Sequence, residues 1–376
     1  MNDTIKDEMT PRERMEAFGS GDPIDRIPCT CHLSEYGARL TGVSIAAYHH
    51  SSDLMVGGAL EVFRELRLDS VSVGPDLLAL PEALGTRLAF SDRERPQLAE
   101  PAVRSYEDID RIGELNPERD GRLYLYLDAL ERIDRSIGRE VRVSTGIGGP
   151  FTTAALLRGT DAFLRDLLIS PEFAHVLLER ATQAILRYME AARDRGISCS
   201  IGEPLASGDV ISPRHFREFA KPYLSRICGW ARGTSRKGPT LHVCGDTRSI
   251  WSDMADSGAS FLSLDNTIDL EAAKKTVGDR AGLTGNVPPV EVLMNGTTTE
   301  VTEAAKACMR KAFGTPKGFI LSSGCTVPLD TPPGQHSRHG RGGTAFWTAP
   351  DRSRFIGIEE WAPMRARETG CKEVRS

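Results

Sequence analysis

Residues 240–245 read TLHVCG, a short run in which apolar and polar side chains alternate before a closing glycine. Alternation of this kind predicts a β-strand, because successive side chains of a strand point to opposite faces. Leu241 and Val243 therefore share one face of the predicted strand. His242 and Cys244 share the other face, and the glycine ends the strand.

Seven further short runs, rich in β-branched residues, end in glycine, proline or a polar residue and alternate with segments of helical period. These runs are residues 26–32 (RIPCTCH), 69–75 (DSVSVGP), 140–146 (EVRVSTG), 197–203 (ISCSIGE), 260–265 (SFLSLD), 281–286 (AGLTGN) and 318–325 (GFILSSGC). The helical segments are residues 53–66, 161–193, 213–230, 247–256, 269–277 and 298–313. We expect segment 161–193 to break into two helices at Ser170-Pro171, and Ser212 to cap the helix that starts at Pro213.

Eight strands that alternate with helices predict an α/β fold of parallel β/α units, and eight strands close a (β/α)8 TIM barrel. A doubly wound open sheet is the alternative, although no G-x-G-x-x-G motif follows the first run. We predict that the barrel spans residues 1–333 and carries a helical insertion at residues 76–137. Residues 334–376 lack apolar periodicity and are predicted to form an irregular C-terminal tail. Either the tail docks on the body or on a neighbouring subunit through Trp347 and Trp361, or it is an atypical terminus with no role.

Composition excludes several classes of function. The chain of 376 residues has 47 Lys and Arg against 52 Asp and Glu, a formal charge of −5 that is spread along the sequence. This balance gives no footprint for nucleic acid, and no stretch approaches the roughly 18 apolar residues of a membrane span. The N-terminus has no apolar signal region, and 8 dilute cysteines indicate a reducing compartment. We therefore expect a cytoplasmic protein without membrane insertion.

Three N/S ligands are expected to meet at one end of the barrel. His242 and Cys244 share a face of the fifth predicted strand, and Cys325 ends the eighth. In a barrel all C-terminal strand ends open at the same mouth, so these residues can converge there. One imidazole and two thiols with a fourth position for substrate are typical of a catalytic zinc site. The alternative is that the thiols are buried and structural.

Other polar residues also end the predicted strands at the same mouth. The candidates for catalysis are Glu203, Asp265 and Asp76, and the candidates for substrate binding are Asn286, Ser207 and Gly149. Each acidic or amide residue could be a metal ligand, could orient His242 through a hydrogen bond, could contact substrate, or could cap a helix. Glu203 is the least typical cap among them and so the better ligand candidate. Cys29 and Cys31, with His32 beside them, are expected to pack in the core.

A series of short motifs extends over the predicted barrel. It comprises Pro11-Arg12-Glu13-Arg14, Asp25-Arg26-Ile27-Pro28, Val73-Gly74-Pro75-Asp76, Gly149-Pro150-Phe151-Thr152, Ser207-Gly208, Ile211-Ser212-Pro213, His242-Val243-Cys244-Gly245, Leu264-Asp265, Gly285-Asn286-Val287, Gly324-Cys325 and Asp330-Thr331-Pro332-Pro333. With these motifs the chain resembles the uroporphyrinogen decarboxylase superfamily. Within it, the chain is most similar to the branch of zinc-dependent methylcobalamin:coenzyme M methyltransferase-like enzymes.

The resemblance implies a (β/α)8 barrel whose zinc is held by His242, Cys244 and Cys325. It implies a methyl transfer between methylcobalamin and a thiol, with zinc holding the thiol as a nucleophilic thiolate. No Asp-x-His-x-x-Gly corrinoid-binding signature occurs in the chain, so the corrinoid would be carried by a separate protein. Coenzyme M, another thiol or a folate could be the small-molecule acceptor, and the reverse direction, in which a methylated compound is the donor, would use the same ligands.

Two other functions remain open from the sequence. The first is a uroporphyrinogen decarboxylase-type tetrapyrrole decarboxylase, and the second is a non-catalytic barrel that binds a corrinoid or tetrapyrrole. The decarboxylase proper carries Met-Arg-Gln-Ala-Gly-Arg where this chain has residues 31–35 (CHLSE), and a histidine where this chain has Cys325. Only its central aspartate is matched, by Asp76. These departures favour the methyltransferase.

Overall fold

The structure is a computed structural model that describes residues 7–235 and 237–332. Its strands are β1 (Ser70–Ser72), β2 (Arg87–Ala89), β3 (Gln97–Glu100), β4 (Arg142–Gly148), β5 (Ser198–Gly202), β6 (Thr240–Val243), β7 (Phe261–Leu264), β8 (Gly282–Val287) and β9 (Phe319–Ser323). Seven of them form one parallel sheet in the order β1-β4-β5-β6-β7-β8-β9. Neighbours in the sheet follow one another along the chain, which confirms the predicted series of β/α units.

Helices lie between consecutive strands of this sheet, as the periodicity predicts, and four more precede β1. They are α1 (Pro11–Ser20), α2 (Tyr36–Thr41), α3 (Ile45–His49), α4 (Ser52–Leu66), α5 (Ala79–Ala83), α6 (Leu123–Ile137), α7 (Pro150–Arg158), α8 (Thr160–Ile169), α9 (Pro171–Asp194), α10 (Pro213–His215), α11 (Lys221–Ser235), α12 (Trp251–Asp256), α13 (Leu270–Val277) and α14 (Thr298–Ala312). The expected break falls between α8 and α9, because Pro171 has no N–H with which to continue a helix. The side chain of Ser212 accepts a hydrogen bond from the backbone N–H of His215, which confirms the predicted cap.

The two edge strands of the sheet, β1 and β9, are joined through residues 28–30. Cys29 pairs in parallel with Leu321 of β9, and its carbonyl accepts from the N–H of Asp69, just before β1. The segment therefore takes the place of the eighth strand, but the prediction of a full strand at residues 26–32 is wrong. Pro28 has no N–H to donate, and the N–H of Cys29 donates to the Asp69 carboxylate at 2.6 Å, so the ladder is limited to one bridge.

The prediction of a helical insertion at residues 76–137 is wrong in part. The segment contains α5 and α6, but β2 and β3 pair as an antiparallel two-stranded sheet between them. These strands are 3 and 4 residues long, too short for the sequence to show a period-2 pattern. Helix α6 buries Leu123, Leu127 and Leu130 against the body, so it belongs to the ring of helices around the barrel.

The apolar core follows the rule for parallel sheets that are covered on both faces. Every residue of β8 and of β9 is buried, as expected for strands with helices outside and side chains inside the barrel. Within the described ranges, no helix has both the length and the apolar character needed to cross a membrane. The predicted tail at residues 334–376, with Trp347 and Trp361, lies outside the described residues.

A buried charge cluster holds the closing segment at residues 28–30 in place. Arg14 of α1 is fully buried and donates to the carboxylates of Asp25 and Asp69. Asp69 also accepts from Arg26 at 2.6 Å and from the backbone N–H of Cys29. Burial alone would raise the pKa of Asp25, but the hydrogen bonds and charge of Arg14 lower it to about 2. Asp25 is therefore an anion, and the ion pairs of Asp25 and Asp69 with the two arginines join α1 and the closing segment to the sheet.

We expect Asp69→Asn to lower the free energy of unfolding by about 3–5 kcal/mol, because it leaves two buried guanidinium groups with one fewer opposite charge. Denaturant unfolding followed by circular dichroism measures the change. Asp53→Asn is the control, since the Asp53 side chain is 79% exposed and its ion pair with Arg132 should contribute under about 1 kcal/mol. Equal losses in the two variants would contradict a special role for the buried cluster.

Candidate metal centre

His242, Cys244 and Cys325 converge at the C-terminal end of the sheet. The Nε2 atom of His242 lies 3.1 Å from the Sγ atom of Cys244, which lies 3.5 Å from the Sγ atom of Cys325. The three atoms that could bind a metal all lie within 4.8 Å of one another. Among the described residues, no other set of three or more His, Cys, Asp and Glu side chains lies close enough together to share one ion. The structure thus brings together the three residues that the strand pattern selects.

The orientation of His242 follows from the register of two strands. His242 of β6 lies opposite Ser263 of β7, and its Nδ1 atom is 3.2 Å from the carbonyl oxygen of Ser263 and 3.1 Å from its Oγ atom. A carbonyl oxygen can only accept, so we assign the imidazole proton to Nδ1. The lone pair of Nε2 is then directed towards the thiols, as in metal-binding histidines whose other nitrogen is held by a backbone carbonyl.

Cys244 is held by the turn that follows it. Gly245 has a positive φ of 69°, and its N–H donates to the Oδ2 atom of Asp265 at 3.0 Å. The next N–H, of Asp246, donates to the Oδ2 atom of Asp209 at 2.8 Å. A Cβ atom at position 245 would lie 2.0 Å from that same Oδ2 atom, so only glycine fits there. Two carboxylates therefore fix the backbone on which the first thiol is mounted.

Cys325 is placed by close packing between two strand ends. A Cβ atom on Gly324 would lie 2.5 Å from the backbone nitrogen of Asn266, which follows β7. The N–H of Gly324 donates to the carbonyl of Val287 at the end of β8. The glycine allows the turn after β9 to approach the turn after β7, and this approach brings the second thiol to the first.

The two thiols are hydrogen-bonded to each other. The hydrogen bond from Cys244 is the main cause that lowers the pKa of Cys325, and His242 lowers it further. The same hydrogen bond, together with burial, raises the pKa of Cys244. Cys325 is therefore the more acidic of the two thiols, and the thiolate is the form that binds metals.

The donor set fits a zinc ion. Zinc prefers imidazole nitrogen and thiolate sulfur, whereas magnesium and calcium prefer oxygen ligands. The Nε2 lone pair of His242 points to the sulfur atoms, and Cys325 gives up its proton easily. Three protein ligands are also the number found at catalytic zinc sites, where water or substrate takes the fourth position.

Glu203 lies at a helix N-terminus instead of among the metal-binding atoms. Its fully buried carboxylate accepts from the N–H of Phe151 at 2.8 Å, and from the N–H and the hydroxyl of Thr152 at 2.9 and 2.7 Å. These groups begin α7, so Glu203 caps this helix although it is untypical of a cap, and it lies outside the group of possible metal ligands. A catalytic role for Glu203 stays a prediction. Burial raises the pKa of Glu203 to about 7, although these three hydrogen bonds lower it.

Gly149 is required by the same contact. A Cβ atom at position 149 would lie 2.3 Å from the Cδ atom of Glu203. The glycine therefore lets the carboxylate reach the end of α7, and this packing accounts for it without a substrate. Its proposed contact with substrate stays a prediction.

Asp76 belongs to a network of its own at the end of β1. Its Oδ2 atom lies 2.9 Å from Nη2 of Arg122 and accepts from the hydroxyl of Tyr126 at 3.3 Å. Its Oδ1 atom accepts from the N–H of Leu78 in the turn before α5. The N-cap of α5 is Leu78, without a side-chain cap, so Asp76 does not have the helix-cap role weighed for it in the sequence. The carboxylate is therefore neutralised by a buried arginine, and a catalytic role for it stays a prediction.

Asn286 and Ser207 both stabilise turns next to the metal-binding group. The side chain of Asn286 donates to the carbonyls of Asp265 and Ile268 at 2.8 and 2.7 Å, which fixes the turn after β7. The Oγ atom of Ser207 accepts from the N–H of Asp209, the residue whose carboxylate holds the turn after Cys244. Both side chains are buried, and their contact with substrate stays a prediction.

Sequence reasoning missed His32 as a neighbour of the site. Its Nε2 atom lies 3.0 Å from the Oγ atom of Ser263, and its ring centroid is 5.0 Å from that of His242. Burial, with a smaller contribution from His242, lowers the pKa of His32 to about 3, so the ring is neutral. The available signal was its position at the end of the first predicted run, on the side of the barrel where the other strands place their polar residues.

A parallel β/α barrel with polar side chains and a possible metal-ligand group at its C-terminal mouth is the architecture of an enzyme. Comparison with known families agrees with this class. The model of the family "Uroporphyrinogen decarboxylase (URO-D)" matches residues 10–338, and the chain belongs to this family.

The relatives include methyltransferases and decarboxylases. The chain is 28% identical to "Methylcobamide:CoM methyltransferase MtbA" of Methanosarcina acetivorans over 330 residues, which are 86% of this chain and 95% of that protein. It is also 28% identical to "Uroporphyrinogen decarboxylase" of Xanthomonas euvesicatoria over 342 residues, covering 86% of this chain and 96% of that protein. Among solved structures, a "methyltransferase from Methanosarcina mazei" superposes with a TM-score of 0.78 at 26% identity, covering 87% of this chain and 96% of that one. Overall sequence identity therefore supports an enzyme of this superfamily. It does not distinguish methyl transfer from decarboxylation, so that choice depends on the residues of the site.

We expect Glu203→Gln to destabilise the protein by about 1–3 kcal/mol and to leave its metal content unchanged. The new amide NH2 group cannot accept from Thr152, so buried donors at the start of α7 lose their partner. Denaturant unfolding and elemental analysis of the same preparation measure the two effects. Loss of metal at unchanged stability would instead identify Glu203 as a ligand.

Proposed function

We propose that this chain is a zinc-dependent methyltransferase that moves a methyl group between a corrinoid carried by a separate protein and a thiol or another small-molecule acceptor. The observation that carries the proposal is the group formed by His242, Cys244 and Cys325 at the barrel mouth. The methyltransferases among the relatives and the fold shared with a solved methyltransferase support it.

The residues of the chain have distinct tasks in this proposal. His242, Cys244 and Cys325 hold the metal, with the imidazole directed by Ser263 and the first thiol by the turn that Asp265 fixes. Bound zinc would lower the pKa of an acceptor thiol, so that the thiol reacts as a thiolate near neutral pH. Attack of that thiolate on the methyl group would form an S–C bond, and the electron pair of the broken methyl–corrinoid bond would stay on the corrinoid.

The methyl donor has to come from outside the chain. The sequence contains no Asp-x-His-x-x-Gly motif for binding a corrinoid, and the metal-binding group lies at the strand ends where barrel enzymes receive their substrates. A separate corrinoid protein that docks on the mouth would satisfy both conditions. Coenzyme M, another thiol and a folate are the acceptors to be compared.

Decarboxylation of a tetrapyrrole is the competing function, because decarboxylases match the chain with the same identity. A substrate with many carboxylates needs unpaired cationic side chains at the mouth. Near Asp76 the arginines are already paired, Arg122 with Asp76 and Glu82, and Arg95 with Glu35. Two adjacent thiols in the barrel mouth also have no task in a metal-free decarboxylation. Both observations favour the methyltransferase.

We expect the purified protein to contain about one zinc per chain, and Cys325→Ser to lose both the zinc and the transfer of a methyl group from methylcobalamin. The serine hydroxyl is a far weaker zinc ligand than a thiolate. Elemental analysis and the absorbance change on demethylation, with several thiols and a folate as acceptors, measure the two properties. Cys199→Ser is the matched control, since Cys199 is also partly buried but lies within β5.

Two outcomes would contradict the proposed methyltransferase. A metal-free protein that converts uroporphyrinogen to coproporphyrinogen would identify a decarboxylase. A protein that binds a corrinoid or tetrapyrrole but transfers no methyl group to any acceptor would identify the non-catalytic barrel.

A further inference from the structure

Three side chains form a hydrogen-bonded series beside the metal-binding group. The Nδ1 atom of His242 is 3.1 Å from the Oγ atom of Ser263, and this Oγ atom is 3.0 Å from the Nε2 atom of His32. Ser263 is fully buried, so its hydroxyl has these two rings as neighbours in place of bulk water. A serine hydroxyl has one proton to donate and can accept at the same time, so it can link two imidazoles.

The series has a defined direction. The carbonyl oxygen of Ser263 also lies 3.2 Å from Nδ1 of His242, and a carbonyl can only accept, so this nitrogen carries the proton. The hydroxyl of Ser263 then accepts from His242 and donates to Nε2 of His32. The reverse direction would place a proton on Nε2 of His242, where it would block the nitrogen that faces the thiols.

The backbone of His32 is tied to the turn that carries the second thiol. Its N–H donates to the Oγ atom of Ser323 at 3.1 Å, and its carbonyl accepts from the N–H of Val327 at 2.8 Å. Val327 lies two residues after Cys325. His32 is therefore fixed to the turn of one metal-binding residue while its ring accepts from the serine that orients another.

We propose that His32 is a positioning residue of the metal centre: by accepting from Ser263 it keeps Nε2 of His242 free of a proton and directed at Cys244 and Cys325. The inference rests on the proposed function, since it concerns the same metal-binding group. It adds a residue outside the set of ligands, on a segment far from them in the sequence. Removal of its acceptor atom should weaken metal binding without changing the ligands themselves.

The test compares Zn²⁺ affinities of the full chain by competition with a chromophoric chelator. His32→Phe keeps the ring shape and the backbone bonds but removes the acceptor, and it should weaken Zn²⁺ binding on the order of 10–100-fold. His32→Gln places an amide oxygen about where Nε2 lies and should bind within about threefold of wild type. His32→Asn is polar but too short to reach Ser263, so it should behave like His32→Phe.

His175→Gln is the matched control. His175 is also half-buried and also bonds a hydroxyl through a ring nitrogen, that of Tyr223 at 2.9 Å, but it lies on α9. This variant should bind Zn²⁺ like wild type. Wild-type affinity in His32→Phe, or equal losses in His32→Phe and His32→Gln, would overturn the proposal, because either result means that the acceptor atom is irrelevant.

A second measurement needs neither metal nor activity. Nitrogen-15 NMR of histidine-labelled, metal-free protein reports which ring nitrogen carries the proton. We expect the Nδ1–H form for both His242 and His32 in wild type, and a shift of His242 towards the Nε2–H form in His32→Phe. An Nε2–H form of His242 in wild type would overturn the series directly. Loss of methyl transfer in a protein with the expected protonation and normal Zn²⁺ affinity would instead count against the proposed function alone.

Discussion

The parallel register that sets β6 against β7 is the constraint on which the site depends. It places His242 opposite Ser263, whose carbonyl and hydroxyl oxygens both lie within hydrogen-bonding distance of Nδ1 of the imidazole. Two residues further on, the carboxylate of Asp265 accepts from the backbone that follows Cys244. A shift of one residue in this pairing would turn both supporting side chains to the opposite face. One strand therefore orients two of the three metal-binding residues.

The barrel gives the third residue its place. Cys325 comes 81 positions after Cys244 in the sequence, yet the two sulfur atoms are neighbours because all strands of the sheet end on one side. The opposite, N-terminal side of the strands carries the buried cluster of Arg14 and Asp69, which fixes the segment that joins the edges of the sheet. Stability and chemistry thus depend on different ends of the same strands, so that substitutions at the metal centre can be tested without loss of the fold.

The sequence predicts most of the fold and the convergence of His242, Cys244 and Cys325, because both depend on local periods and on the rule that parallel strands end together. It does not predict partners that come from distant segments. Glu203 is unlike a local helix cap, and it caps a helix through residues 51 and 52 positions earlier in the chain. His32 gains its neighbour only through closure of the barrel, and the ladder at residues 28–30 is cut short by the carboxylate of Asp69. These are tertiary contacts for which the sequence offers no periodic signal.

The central claim is that two cysteines and one histidine hold a zinc ion that accepts a thiol substrate. X-ray absorption at the zinc edge tests it most directly. We expect two sulfur scatterers at about 2.3 Å and one imidazole nitrogen at about 2.0–2.1 Å, with a third sulfur when the acceptor thiol is added. A first shell of nitrogen and oxygen alone, or a sulfur count that does not change with any thiol, would contradict it.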